Sequence, residues 1–135
     1  METLIDQLIR HEGLRLKPYK DTAGKSTIGV GRNLDDAGIS PDEALILLEN
    51  DIARTSAALR EHLPWFGSLD KVRQNVLINM AFNMGIHGLL GFKLMLGAVQ
   101  AGNYEAASRE MLESAWAVQV GNRAVELSHL MKNGG

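Results

Sequence analysis

Three residues near the start of this chain carry groups that could share a proton-transfer reaction. They are Glu12, Asp21 and Thr27, spaced nine and then six residues apart. Leu4, Leu8 and Glu12 stand at i, i+4 and i+8, so in a helix the carboxyl extends an apolar stripe. As a carboxylic acid there, Glu12 would have a proton to donate. The same position also suits the solvent end of a stripe or a polar network at a helix end. Asp21 opens the turn sequence Asp21-Thr22-Ala23-Gly24, where an aspartate binds nearby backbone amides. Thr27 follows in an alternating segment, with Ile28 and Val30 on one face and Thr27, Gly29 and Gly31 on the other. One hydroxyl beside two bare glycines reads as a cleft wall that something approaches closely. The glycines equally suit a twisted or bulged strand.

The elements that must hold these residues follow from capping and periodicity. Residues 3–12 read as a helix closed by Gly13. Residues 14–40 form a small lobe with a hairpin or small antiparallel sheet, the only β-rich stretch. Ser40-Pro41-Asp42-Glu43 is a capping-box start, and Pro64 ends a long helix over residues 41–63, with Leu45, Leu48, Ile52, Leu59 and Leu63 on one face. Ser68 is expected to start the next helix, which Gly85 closes. Val72, Val76, Leu77, Met80, Ala81 and Met84 make that helix apolar over most of its girth, as a central buried helix should be. Shorter helices are expected at residues 92–101, 104–113 and 123–131, with Gly102-Asn103 combining a stop and a cap. Residues 65–135 thus make a helical lobe. Met80, Met84, Met95 and Met111 read as core filler, and Trp65 and Trp116 as core or interface aromatics. The class is α+β, mostly α, in one domain over residues 1–135.

Composition narrows the function. The chain has 135 residues, 45% hydrophobic and 22% charged, which suits one globular domain rather than disorder. It has no cysteine, so disulfides, thiolate catalysis and cysteine-ligated metals are excluded. His11, His62, His87 and His129 are scattered without ligand spacing, and no metal or cofactor is expected. No apolar run reaches the length of a membrane span, and Glu2, Asp6 and Arg10 interrupt any export-signal layout at the start. Net charge is −2, which makes no case for nucleic-acid binding. Residues 10–32 nevertheless hold six Arg and Lys against two acids, while residues 35–61 are predominantly acidic. The basic stretch suits a polyanionic partner at one place, or an unevenly charged solvated surface.

The run His11-Glu12-Gly13-Leu14-Arg15-Leu16-Lys17-Pro18-Tyr19-Lys20-Asp21-Thr22, followed by Thr27-Ile28-Gly29-Val30-Gly31, resembles the catalytic segment of phage-type lysozymes. It is similar to the lysozymes of the T-even bacteriophages, in family 24 of the glycoside hydrolases. Downstream, Ser68-Leu69-Asp70-Lys71-Val72-Arg73 and Asn79-Met80-Ala81-Phe82-Asn83-Met84-Gly85 resemble the family's central helix. Gly88, Gly91 and Phe92 fit its following turn, and Trp116, Gln119 and Asn122-Arg123-Ala124 its late motif. The resemblance implies a lysozyme-like two-lobed fold with a small β-hairpin lobe, a long connecting helix and a helical lobe. It also implies peptidoglycan cleavage, with Glu12 as general acid and Asp21 and Thr27 positioning and activating water. Arg123 matches an arginine that pairs with the acid. Gly31, Asn33 and Phe82 fall at positions bordering the sugar cleft. The chain departs from the T-even pattern at Arg32, where those lysozymes carry histidine, and its loop from Asn33 to Ser40 is shorter. Met95 and Glu110 stand at cleft-side positions where those lysozymes carry small polar residues.

The implied role is a phage endolysin: a monomeric muramidase, held in the host cytoplasm until lysis and then acting on the wall. A separate membrane pore, a holin, would release it. Neither nucleic acid nor stable membrane insertion is expected. A wall-degrading module of a virion or a toxin is an alternative use of the same fold. A catalytically inactive wall-binding or partner-binding protein on a lysozyme scaffold is the other alternative. Two carboxyls with a water between them suit inversion at the anomeric carbon, for which a separation of about 6.5–9.5 Å is expected.

Overall fold

A computed structural model describes all residues, Met1–Gly135, and they fall into two compact units, Met1–Leu47 and Leu48–Gly135. The architecture is α+β and mostly helical, with one three-stranded antiparallel sheet.

In the first unit, α1 (Leu4–Glu12) is set by its two ends. Thr3 Oγ1 accepts the Asp6 N–H at 3.1 Å, and Gly13, at φ +79°, donates its N–H to the Ile9 carbonyl. The strands β1 (Arg15–Lys20), β2 (Ser26–Gly29) and β3 (Arg32–Asn33) lie in the order β1-β2-β3. Between Arg15 and Tyr19 the β1 register shifts, and Pro18, which has no N–H to pair, lies in the irregular stretch. The alternating face expected through Gly31 stops short. β2 ends at Gly29 (φ +69°), and the chain turns through Val30 and Gly31 (φ +70°) into β3. Left-handed backbone at two of three consecutive positions is why glycine stands at both.

The apolar stripe of α1 is not buried. Leu4, Ile5 and Leu8 are 67, 71 and 43% exposed, and Thr27 is the unit's single buried residue. A unit of this size cannot enclose a helix face, a sheet face and a loop at once.

The short loop into α2 (Pro41–His62) is held by a charged clamp. Arg32 donates Nη1–H and Nη2–H to the two carboxylate oxygens of Glu43, both at 2.7 Å, and Nη1–H to the Gly38 carbonyl at 3.1 Å. The predicted capping box forms. Glu43 N–H donates to Ser40 Oγ, and Ser40 N–H donates to Glu43 Oε1. Where histidine was the comparison, arginine therefore supplies a bidentate anchor for the loop. The Arg32 guanidinium, then the Ser40 amide, hold the Glu43 carboxyl down to about 2 from 4.5. A depressed acid stabilises the fold above its ordinary value and loses that contribution as pH falls towards the folded value. The melting temperature of the native chain should therefore exceed that of Glu43→Gln above pH 4.5, with the gap closing between 4.5 and about 2. A gap that stays constant across that window would remove the clamp as its cause.

The second unit holds the core. Leu59, Phe66, Leu77, Met80, Leu89, Met95, Met111 and Met131 are fully buried or nearly so. Only the end of the expected α2 stripe joins it, through Leu59 and then Leu63, while Leu45, Leu48 and Ile52 remain exposed. The next helix does not start at Ser68. A 3-10 turn occupies Phe66–Ser68, Leu69 is extended, and Asp70 caps α3 (Lys71–Met84) by accepting the Arg73 N–H at 3.1 Å. An ionised aspartate is a better acceptor for a helix N-terminus than a serine already used in a turn. Arg73 then stacks its guanidinium over Tyr104 at 3.4 Å. Its Nε–H and Nη2–H donate to the carbonyls of Met131 and Lys132. Those are orphan acceptors at the end of α8 (Asn122–Asn133).

Between them lie α4 (Ile86–Leu90), α5 (Lys93–Gln100), α6 (Tyr104–Leu112) and α7 (Ala115–Val120). The Gly102-Asn103 stop and cap are present, with Gly102 at φ +75° and Asn103 Oδ1 accepting the Ala106 N–H. The short helices α4 and α7 were not expected from periodicity. Five and six residues span too few turns to show it.

Candidate active site

In the first unit the structure brings the sequence-predicted residues into two groups. Glu12 is the last residue of α1, exposed, and its carboxyl lies against Gly31. A Cβ added at Gly31 would stand 3.2 Å from Glu12 Oε2 and 3.5 Å from Cδ. The bare backbone of Gly31 is therefore what gives the carboxyl room.

Asp21 and Thr27 are joined through one residue, Lys25. Asp21 Oδ1 accepts the N–H groups of Ala23 and Lys25 at 2.9 and 2.8 Å. The Lys25 carbonyl in turn accepts the Asp21 N–H at 2.9 Å and the Thr27 hydroxyl at 2.9 Å. The turn thus fixes the aspartate by one oxygen and leaves Oδ2 without a hydrogen bond inside the chain. Because the Thr27 O–H donates to the Lys25 carbonyl, its oxygen is left as an acceptor. Asn33 stands opposite Thr27 in the β2–β3 register and is engaged with Asp36 through both ends of its amide. Thr27 is 3% exposed, so it packs more than a simple wall hydroxyl would.

In the second unit, Phe82 and Arg123 line one depression of about 380 Å³ with Asn75 and Asn79. The Arg123 Nε–H and Nη2–H both donate to Asn79 Oδ1, at 3.0 and 2.7 Å. Trp116 is buried against Phe92, edge to face, and its Nε1–H donates to Asn83 Oδ1 at 2.9 Å. Met95 is almost fully buried and lies at the floor of the depression that Glu110 also lines. Its unbranched thioether fills the core between α5 and its neighbours. Glu110 faces a surface depression of about 320 Å³ with Phe92, Glu113 and Ser114.

Sequence reasoning missed the bridging backbone of Lys25 and the roles of Asn79 and Asn83. Backbone roles carry no side-chain signature. The asparagines did carry one: Asn75, Asn79 and Asn83 stand at i, i+4 and i+8 within α3. Asparagine is a poor helix former, so three on one face point to bonding partners.

The family model described as phage lysozyme matches residues 9–132. The chain is 31% identical to the pre-baseplate central spike protein Gp5 of Enterobacteria phage T4, over 98% of this chain but 28% of the spike protein. It is 26% identical to a probable T4-type lysozyme 1 of Dictyostelium discoideum, over 99% of this chain and 96% of that one. It is 32% identical to the endolysin of Salmonella phage P22, over 80% and 77% of the two chains. The chain belongs to the phage lysozyme family, a class of glycoside hydrolases.

Proposed function

We propose that the chain hydrolyses the β-1,4 bond between N-acetylmuramic acid and N-acetylglucosamine in peptidoglycan, with inversion at the anomeric carbon. The observation that carries this reading is the Asp21–Lys25–Thr27 arrangement. It offers a carboxylate oxygen from the Asp21 turn and a hydroxyl oxygen from β2, both acceptors, tied together through the backbone of Lys25. A water placed there is held by donating its two hydrogens, which leaves its lone pair to attack. Glu12 gives its proton to the glycosidic oxygen as the bond to the anomeric carbon breaks. Water adds from the opposite face and passes its proton to Asp21. Gly31 and Asn33 in the first unit, and Phe82 and Arg123 in the second, are the further residues that the resemblance assigns to this reaction.

The test is the anomer first released from a soluble peptidoglycan fragment by the purified chain, followed by NMR. The expected product is the α anomer from the β-linked substrate. A β product would recast Asp21 as a nucleophile that forms a covalent intermediate.

The biological use that fits is an endolysin, monomeric, kept in the host cytoplasm until a separate holin opens the membrane and then acting on the wall. No helix of the structure is long and apolar enough to cross a membrane. The similarity to a central spike protein favours a second use, a wall-degrading part of the virion. Immunodetection of the chain in purified particles separates the two, since an endolysin is absent from them. The alternative of an inactive wall-binding scaffold predicts no hydrolysis at all by the native chain.

A further inference from the structure

The basic stretch of the sequence is divided by the structure into two sets. Arg10 meets Glu2, Lys25 meets Asp36 and Arg32 meets Glu43, so three of its six cations are neutralised where they stand. The other three, Arg15, Lys17 and Lys20, meet no acid, and all three belong to β1. That strand carries no acidic residue of its own and is exposed at every position but Tyr19, which is half-buried. Arg15 stacks its guanidinium over the Tyr19 ring at 4.5 Å, which steadies the group and leaves its charge whole. Lys20 donates from Nζ to the Ser26 hydroxyl at 2.8 Å, again a neutral partner. β1 is an outer strand, paired with β2 alone, so its other edge is open. Along an extended strand the three cations are spread over about 16 Å. Such a row does not converge on a small anion. It suits a chain that repeats its negative charges. All of these residues lie in the first unit, on the segment that joins Glu12 to Asp21.

We propose that β1 is a docking strand for peptidoglycan, where its cations hold the carboxylates of the peptides that hang from the glycan. This rests on the reading of the chain as a wall hydrolase, and it adds the place where a polyanionic wall is held. The chain as a whole carries −2, so net charge does not draw it to such a surface and the capture is local. Two other extended polyanions fit β1 less well. Single-stranded nucleic acid needs open aromatic faces for its bases, and the one aromatic ring of β1 lies under Arg15. An anionic bilayer needs a broad apolar face beside the cations, and β1 offers Leu16 as its one large aliphatic side chain. The apolar side chains of α1 share their helix with Asp6 and Glu12, which an anionic surface repels.

The test is retention of the full chain on insoluble peptidoglycan freed of other polymers, measured by sedimentation in the cold at low and at high salt. Arg15→Gln combined with Lys17→Gln should weaken retention by about tenfold at low salt, and the gap should close as salt screens the charges. Lys71→Gln combined with Lys132→Gln removes the same charge from two exposed lysines of the second unit and should leave retention unchanged. Peptidoglycan whose carboxyls have been converted to amides should hold the native chain as poorly as untreated peptidoglycan holds the β1 variant. Lys17→Gln alone should lose about threefold. Lys17 has no ion pair to lose, so this variant carries the measurement if loss of the Arg15–Tyr19 stack unfolds the strand. Equal losses in the two double variants would make the effect one of net charge and overturn the proposal. So would full retention on the amidated wall, or tighter binding of the native chain to DNA or to anionic phospholipid vesicles at the same salt. A β1 variant that self-associates yet stays on the wall would show that the cations only guard the open edge, and would overturn it too. Failure of the hydrolase reading shows elsewhere, as no release of reducing sugar by the native chain. Retention is measured whether or not the wall is cut.

Discussion

Glu12→Gln should abolish clearing of bacterial walls while the variant folds as the native chain does. The amide is nearly isosteric with the acid and cannot give up a proton to the glycosidic oxygen. General acid catalysis is worth about 10²–10⁴-fold, so the residual rate should fall below about a hundredth. Folding should survive because Glu12 is exposed at the end of α1 and accepts no hydrogen bond within the chain. Turbidity of a wall suspension against time, with circular dichroism as the control, makes the measurement. Retention of more than about a tenth of the native rate would take Glu12 out of the acid role. A native chain with no activity of its own would favour the scaffold reading instead.

Gly31→Ala should lose both stability and activity, and a neighbouring glycine separates the two effects. Gly31 has φ +70°, a conformation that costs an L-residue about 1–2 kcal/mol. Its new Cβ would also press on the Glu12 carboxyl from 3.2 Å. Misplacing a reacting group by about 1 Å lowers rates by about 10²-fold; the Glu12 carboxyl need give only a few tenths of an ångström, so the expected loss here is roughly three- to tenfold. Gly29 has nearly the same backbone, φ +69°, but a Cβ added there meets nothing within 4 Å. Gly29→Ala should therefore melt at a similarly lowered temperature while keeping most of its wall-clearing activity. If both variants lose activity alike, the effect belongs to the turn and not to contact with Glu12.

The features legible in the chain were those that local chemistry decides. The Gly13 stop, the Ser40–Glu43 capping box and the Gly102-Asn103 junction formed as read, because each depends on bonds among residues a few positions apart. The Asp21 turn formed for the same reason, and it carries half of the candidate site with it. The start of α3 misled because two acceptable caps, Ser68 and Asp70, stand two residues apart. A 3-10 turn around the buried Phe66 uses the first of them.

Burial and long-range partners were not legible in the same way. Periodicity marked an apolar stripe on α1 and along α2. Whether a stripe is covered depends on how much chain surrounds it, and Leu4, Leu8, Leu45 and Ile52 are left exposed. By itself, then, the sequence determined the class of fold, the ends of most helices and the spacing of Glu12, Asp21 and Thr27, all set within a few residues or by motif. Only the tertiary structure decided that Gly31 touches Glu12, that Lys25 ties Asp21 to Thr27, and that Arg123 is held by Asn79, 44 residues away. Contacts of that kind depend on where distant elements pack, and no local preference of the residues involved contains them.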